Sequence, residues 1–414
     1  MKVLHITTSS RGGAGIAAWR LHTALRAEGV ASGFLAKDRC VNFEGAEVED
    51  PFFAYQRPSQ SKRILRKLGH WMYPSEAHLL EANLRDRKHL LHYEHVSLPY
   101  SKFELQEHPL VQEADVLHLH WVSGILDYER FFTANTKPIV WTLHDRNPFS
   151  GLFHYKKDEV GNAPRIPRLE ARVRIHKRKA LLHIDNGAIV APSQWLLEAA
   201  HDSGVFDHIS LQKCIANPVD PLFFTESKTE TVRQSLGIDA DTFVLLLVAG
   251  SLDIPRKGIQ LFLEALEALP KLSLTVLTVG KGSINTKHET HTVHSVGMVS
   301  SLEALRDYYH AADTVVLPST EDNLPNVMLE SFACGTPVIA FRVGGMKTHV
   351  KKGVTGMLAK EVTAKALAKK IKKMAKEHHR YEAGTVSAYA KAHFDPAQQG
   401  QQYHELYQKL VSAP

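Results

Sequence analysis

The sequence predicts an α/β chain of two Rossmann-like domains, each a parallel sheet covered by helices on both faces. Short, nearly continuous apolar runs alternate with helical patterns in two separate blocks, as buried parallel strands do, and 414 residues suit two or three domains. In the first block, residues 2–7 read as a strand, 12–15 as a tight glycine loop and 16–28 as a helix. Further strands are expected at 116–120, 138–143 and 187–191. In the second block, strands are expected at 243–249, 273–279, 314–317 and 337–341, with helices between them. The hinge is placed at 217–224, giving domains 1–217 and 218–395, and a last helix is expected at 396–411.

Composition narrows the class. A hydrophobic content of 44% supplies a core for each domain. Only Cys40, Cys214 and Cys334 are present, without C-x-x-C spacing, which argues against a disulfide framework and a thiolate metal site and for a reducing cytoplasm. The apolar run at the start is too short for a signal peptide, and the longest one, 243–249, is too short to span a bilayer. A soluble cytoplasmic protein is expected, with peripheral contact at the inner face of the cytoplasmic membrane kept open.

Net charge is modest at +6, from 50 basic against 44 acidic residues, but basic clusters stand at 61–71 and 168–182. In the first, Ile64, Leu65 and Leu68 have helical spacing beside Lys62, Arg63, Arg66 and Lys67. That pattern fits a solvated helix face and an anionic membrane surface equally well. Neither cluster has the interleaved aromatics of a nucleic-acid module.

The most informative stretch is 317–345, LPSTEDNLPNVMLESFACGTPVIAFRVGG. A β-type run ends at Pro318-Ser319, a polar loop carries Glu321, Asp322 and Asn323, and Pro325 is expected in the first helical turn, where its missing N–H costs nothing. The N–H groups near Asn326 and Val327 then face outward at a helix end that attracts anions. Glu330 follows one turn on. The plain alternative is an ordinary strand-loop-helix-strand unit, with Glu330 only complementing the helix dipole.

In the first domain, Gly12 and Gly13 precede a helix, and glycine lets backbone approach a ligand. GGAG lacks the full G-x-G-x-x-G spacing, and no acidic ribose ligand follows the next strand, which disfavours a nicotinamide or flavin site. His144 ends an apolar strand in WTLHD. His118 and His120, in LHLHW, are expected on opposite faces of their strand, so that at most one reaches a site, His120 being the better placed. H-x-H spacing can bind a metal, but no further ligand set is evident and none is expected.

These segments together resemble the retaining glycosyltransferases of the GT-B fold, in particular glycosyltransferase family 4. The family pattern is an acidic residue, seven others, a glutamate, and a stretch ending in G-x-P-V-[IV]-A; Asp322 and Glu330 have that spacing and CGTPVIA follows. The first acid is usually glutamate in the family, so Glu321 and Asp322 both stand for that role. VLHITTSSRGGAGIAAWRLHTAL resembles the family's first strand, glycine loop and helix; DVLHLHWV and PIVWTLHD its later strands; VAPSQWL with Asn217-Pro218 the segment leading into the second domain. AGSLDIPRKGIQLFLEAL resembles its diphosphate-binding G-R-x5-K-G loop, here Gly250, Ser251 and Lys257-Gly258. Ser251 replaces the arginine, and Arg256 is the candidate to supply the missing charge.

The resemblance implies a GT-B architecture with the two domains facing across a cleft and the last helix crossing back to the first. It implies a hexosyltransferase-type enzyme moving sugar from a nucleotide-diphosphate sugar to a saccharide or lipid-linked acceptor, with retention, in bacterial polysaccharide assembly. Lys257, Arg256 and the amides at Asn326 and Val327 would hold the diphosphate, with no obligate metal. A lysine at about 4 Å from a phosphate outweighs a helix end, at roughly 4 against 0.3–1 kcal/mol before desolvation. Glu330 would bind the ribose hydroxyls; Asp322, with Asn323 and the backbone near Leu324 and Pro325, the transferred sugar; His144 would lie beside that sugar. Two alternatives stay open: a GT-B epimerase or hydrolase acting on the nucleotide sugar, and a non-catalytic nucleotide-sugar-binding subunit.

Overall fold

The computed structural model describes residues 1–53, 76–226, 229–239 and 241–412. The basic cluster at 61–71 lies outside them. The chain divides into two compact units: Met1–Ala191 with Leu196–Cys214 and Gln401–Pro414, and Pro192–Trp195 with Ile215–Gly400. Pro192–Trp195, expected within the first domain, thus belongs to the second unit, where Ser193 Oγ donates to Asn323 Oδ1 at 2.6 Å.

The first unit is a seven-stranded sheet in the order β3-β2-β1-β4-β5-β6-β7. Its strands are β1 (Lys2–Ile6), β2 (Ala31–Ala36), β3 (Arg39–Val41), β4 (Val116–Leu119), β5 (Ile139–Thr142), β6 (Gly187–Ala191) and β7 (Leu211–Cys214). All neighbours are parallel except β2 and β3, an antiparallel edge pair. The second unit is a fully parallel six-stranded sheet, β10-β9-β8-β11-β12-β13. Its strands are β8 (Val244–Ser251), β9 (Leu274–Lys281), β10 (His291–Gly297), β11 (Thr314–Leu317), β12 (Val338–Phe341) and β13 (Gly356–Ala359). In β1, β4, β5, β11 and β12 nearly every residue is buried, because helices cover both faces of a parallel sheet.

Strand order reverses between β1 and β4 in one sheet and between β8 and β11 in the other. Such switch points open a crevice at the carboxyl ends of the strands. The loop leaving β1 runs into the helix that starts at Gly12, the loop leaving β4 carries Trp121, and those leaving β8 and β11 carry Lys257 and Asp322.

Two local expectations are corrected. The glycine loop is absorbed into the first helix, Gly12–Ala27: Gly12, at φ +76°, turns the chain into it, and a Cβ on Gly15 would lie 2.2 Å from Ser9 O, so the first turn needs glycine to pack on the preceding loop. Pro325 stands one position earlier than expected, as the extended N-cap of the helix Asn326–Ala333 (φ −67°, ψ 125°), because the polar loop runs one residue further before the chain turns helical.

Candidate functional site

In the second unit, the loop after β8 docks on the loop after β11. Residues Pro255–Lys257 form a single 3-10 turn closed by Gly258 at φ +70°, where a Cβ would lie 1.9 Å from Pro318 O. Thr320 N–H donates to Arg256 O at 2.8 Å, and Arg256 Nη1 donates to Glu321 O at 2.8 Å. This brings Lys257 Nζ to 2.7 Å and Arg256 Nη1 to 3.3 Å from Asp322 Oδ2. Burial alone would push the Asp322 carboxyl up, but the Lys257 and Arg256 charges hold it below the usual carboxylate range. A carboxylate, two cations and a helix start therefore share one end of the sheet.

The residues around that helix start divide by what they touch. Asn323 N–H bonds Asp322 Oδ1 at 3.1 Å, and its carbonyl accepts from Gly345 N–H at 2.6 Å. Leu324 is buried in the core cluster with Met328 and Leu329, and Val327 packs partly against it. Asn217 Nδ2 donates to Asn326 Oδ1 at 3.3 Å, and no side chain caps the helix at Pro325. Glu330 is 5% exposed and accepts from Tyr309 Oη at 2.7 Å; no sequence motif singles out Tyr309, whose hydroxyl helps orient the carboxylate. Gly250 is exposed at the end of β8, whose register shifts between Val248 and Ser251. Ser251 pairs across the sheet with Lys281, a cation that sequence spacing alone did not place beside it.

In the first unit, histidines gather at the switch point. His5 on β1 is in register with His118 on β4, and residues two apart on a strand share a face. The expectation that His118 and His120 face opposite sides is therefore wrong: their rings stack at 4.1 Å. His5 Nδ1 lies 3.0 Å from His120 Nε2, and His120 Nδ1 lies 3.2 Å from His144 Nε2. His118 is tied separately, Nδ1 to Tyr407 Oη at 2.7 Å and Nε2 to Thr142 Oγ1 at 2.8 Å. Burial drives the pKa values of His5, His118 and His120 well down, and that of His144 to about 4, so the cluster is neutral. His5, His118 and His120 bring nitrogens within 4.8 Å of one another, as a metal site would. An ion would take one nitrogen from each ring, displacing one hydrogen bond of His118 and one of His120.

His144 also lines a small cavity of about 20 Å³ with Ser97, Trp121, Asp145 and His154, room for roughly one water. Asp145 Oδ2 accepts from Trp121 Nε1 at 2.8 Å and from His154 Nδ1 at 2.6 Å. That leaves His154 Nε2 to accept from Ser97 Oγ at 2.6 Å. The Ser-His-Asp order resembles a nucleophile relay, but Ser97 Oγ also bonds Ser123 Oγ, so these side chains hold one another in place. The relay thus serves to fix the wall beside His144.

Residues 244–377, which hold Lys257, Asp322 and Glu330, match the family described as Glycosyl transferases group 1. The D-inositol 3-phosphate glycosyltransferase of Arthrobacter sp. (strain FB24) is 32% identical over 266 residues, 59% of this chain and 58% of that protein. The chain thus aligns with little more than half the length of that relative. Among solved structures, sucrose-phosphate synthase from Thermosynechococcus elongatus superposes with TM-score 0.65 at 20% identity, covering 100% of this chain and 99% of that one. Anabaena HepE in complex with UDP-glucose superposes with TM-score 0.62 at 19% identity, covering 99% and 100%. The fold class is that of the GT-B glycosyltransferases, with a parallel-sheet α/β domain in each half.

Proposed function

We propose that this chain is a retaining GT-B glycosyltransferase of family 4 that takes a nucleotide-diphosphate sugar. The observation that carries the reading is the convergence of Lys257, Arg256 and Asp322 on the start of the helix Asn326–Ala333, with Glu330 buried one turn in. The match of residues 244–377 and the UDP-glucose complex of HepE support it. The donor diphosphate draws Lys257 off Asp322, and the freed Asp322 carboxylate accepts from hydroxyls of the transferred sugar. Glu330 binds the ribose. Lys257 and the helix amides stabilise the leaving diphosphate, whose oxygen takes the acceptor proton as the acceptor attacks from the same face, so no separate base is required. The acceptor is a saccharide or lipid-linked saccharide, and the setting bacterial polysaccharide assembly at the cytoplasmic face of the membrane.

A panel of nucleotide sugars tested by thermal shift identifies the donor, and acceptor-dependent release of nucleoside diphosphate then separates transfer from hydrolysis or epimerisation. Release at the same rate with no acceptor present would replace transferase by hydrolase. Binding without turnover under any acceptor would leave a nucleotide-sugar-binding subunit.

A further inference from the structure

Charge is unevenly placed along this chain. Residues 347–380 hold 11 basic side chains against 2 acidic ones, +9 in a chain whose net charge is +6, which leaves 39 against 42, or −3, everywhere else. The helix Ala364–Glu377, AKALAKKIKKMAKE, carries most of it. Its Leu367, Ala368, Ile371 and Met374 lie in one buried core cluster with Met357 and Ala359 of β13, while Lys365, Lys369, Lys372 and Lys376 fall on the opposite side and are exposed. Lys352 and Lys360, from the loops flanking β13, extend the same patch. Their charges reach the helix: the Lys370 ammonium is held below the usual lysine range, first by partial burial and then by repulsion from Lys373, Lys369, Lys352 and Lys360.

The helix carries this charge against its own stability. Lys365 with Lys369, Lys369 with Lys373 and Lys372 with Lys376 are like-charged i,i+4 pairs, and the first turn, which favours acids, has none. Among the described residues, only the Glu377 carboxylate answers the patch, at 3.6 Å from Lys373 and 3.9 Å from Arg380. We propose that this lysine face is a docking surface for an anionic lipid bilayer. The side chains choose that partner among polyanions. Residues 347–380 contain no Phe, Tyr or Trp on which a nucleic-acid base would stack, and their cations are lysines, Arg380 apart, rather than the forked guanidinium groups that grip individual phosphates. Hydrated point charges spread over one side of a surface helix match a diffuse plane of headgroups, and each lysine near such a plane strengthens binding about fivefold. The surface stands on its own residues and does not depend on the transferase reading.

The test is co-sedimentation of the full chain with vesicles of phosphatidylcholine alone and of equal parts phosphatidylcholine and phosphatidylglycerol. The chain should bind the anionic vesicles at about 0.1 M salt, leave them at about 1 M, where the screening length falls to about 3 Å, and ignore the neutral ones. Lys365→Glu combined with Lys369→Glu should weaken binding at least about tenfold. The same pair puts an acid in the first helical turn and an attractive partner four residues before Lys373, so Tm should not fall, which separates lost docking from a lost fold. Arg168→Glu combined with Arg178→Glu, on exposed positions of the helix Pro167–Leu181, should leave vesicle binding as it is. Wild type that ignores the anionic vesicles overturns the proposal. So does a lysine variant that binds as tightly as wild type, an equal loss in the arginine variant, or tighter retention on single-stranded RNA than on the vesicles.

Discussion

At the scale of single residues, the proposed function asks some charges to act on a ligand and other groups to hold those charges in place. Under the proposed transferase reading, Lys257→Ala removes the ammonium that would meet the leaving group, and loss of one such electrostatic contact costs about 10²–10³ in kcat. Asp322 keeps Arg256 as its partner, so the fold should survive; wild-type turnover in the purified variant would discard the role. Glu330→Gln still accepts from Tyr309 but loses the charge that, on the proposed reading, binds the ribose. Donor Kd, followed by titration, should rise about tenfold, roughly 1.4 kcal/mol, with little change in Tm. Tyr309→Phe does the opposite. It removes one hydrogen bond to a buried carboxylate and should lower the unfolding free energy by about 1–3 kcal/mol in urea. If Tyr309→Phe is as stable as the wild type, the carboxylate has other sufficient support and its orientation does not depend on that hydroxyl.

At the scale of elements, strongly apolar strands were legible and weakly patterned ones were not. All eight strands expected from continuous apolar runs are present, including β8 and β11, which flank the second switch point. Five were missed: β2 (ASGFLA) and β7 (LQKC) lack a continuous apolar run, β10 is an edge strand reading HTVHSVG, with polar residues on a half-exposed surface, and β3 has only three residues. β13, GMLA, is too short to show a period and enters with Gly356 at φ +149°. The second-unit loops were readable because their residue types sit at fixed spacing in one segment, whereas the His5–His120–His144 chain joins three strands distant in sequence and only the sheet register brings it together. The basic run at 168–182 shows the same limit. It folds as the helix Pro167–Leu181, and Lys177 turns inward, donating to Asn147 O, Asn147 Oδ1 and Gly151 O at 2.6–2.9 Å. Burial pushes the Lys177 amine down to about 7 from 10.5, against the upward pull of Glu170 and Asp145. Between those values the unfolded chain binds more protons than the folded one, so stability rises with pH there; below about 7 both states are protonated and the burial penalty is fully present. Unfolding free energies of wild type minus Lys177→Met should therefore climb between pH 7 and 9, by at most about 1.4 kcal/mol per unit. A flat or falling difference would mean that the amine stays charged in the fold.

At the scale of the whole molecule, the chain closes its first unit with its last helix. Helix Pro396–Val411 begins in the second unit and from Gln401 onward belongs to the first, where Tyr403, Leu406, Tyr407 and Leu410 are buried. Tyr407 Oη bonds His118 at 2.7 Å and Tyr403 Oη bonds Thr142 at 2.9 Å, across 289 and 261 residues of sequence. Contacts that distant make the first unit's core wait for the end of the chain, since loop-closure entropy must be met before they form. Their weight is large: four such side chains contribute about 1.5–3 kcal/mol each, roughly 6–12 in all, against a typical net stability of about 5–15. Deleting everything from Gln401 should therefore unfold the first unit, while the second, with its own sheet and core, keeps its structure. Amide exchange would show β1, β4 and β5 losing protection and β8, β11 and β12 retaining it. The point substitution Tyr407→Phe isolates the polar contribution: it leaves His118 Nδ1 buried and unpaired and should cost about 1–3 kcal/mol with the core otherwise intact. Full protection of β4 in the truncated protein would sink the argument, because the first unit would then fold without the helix that completes it.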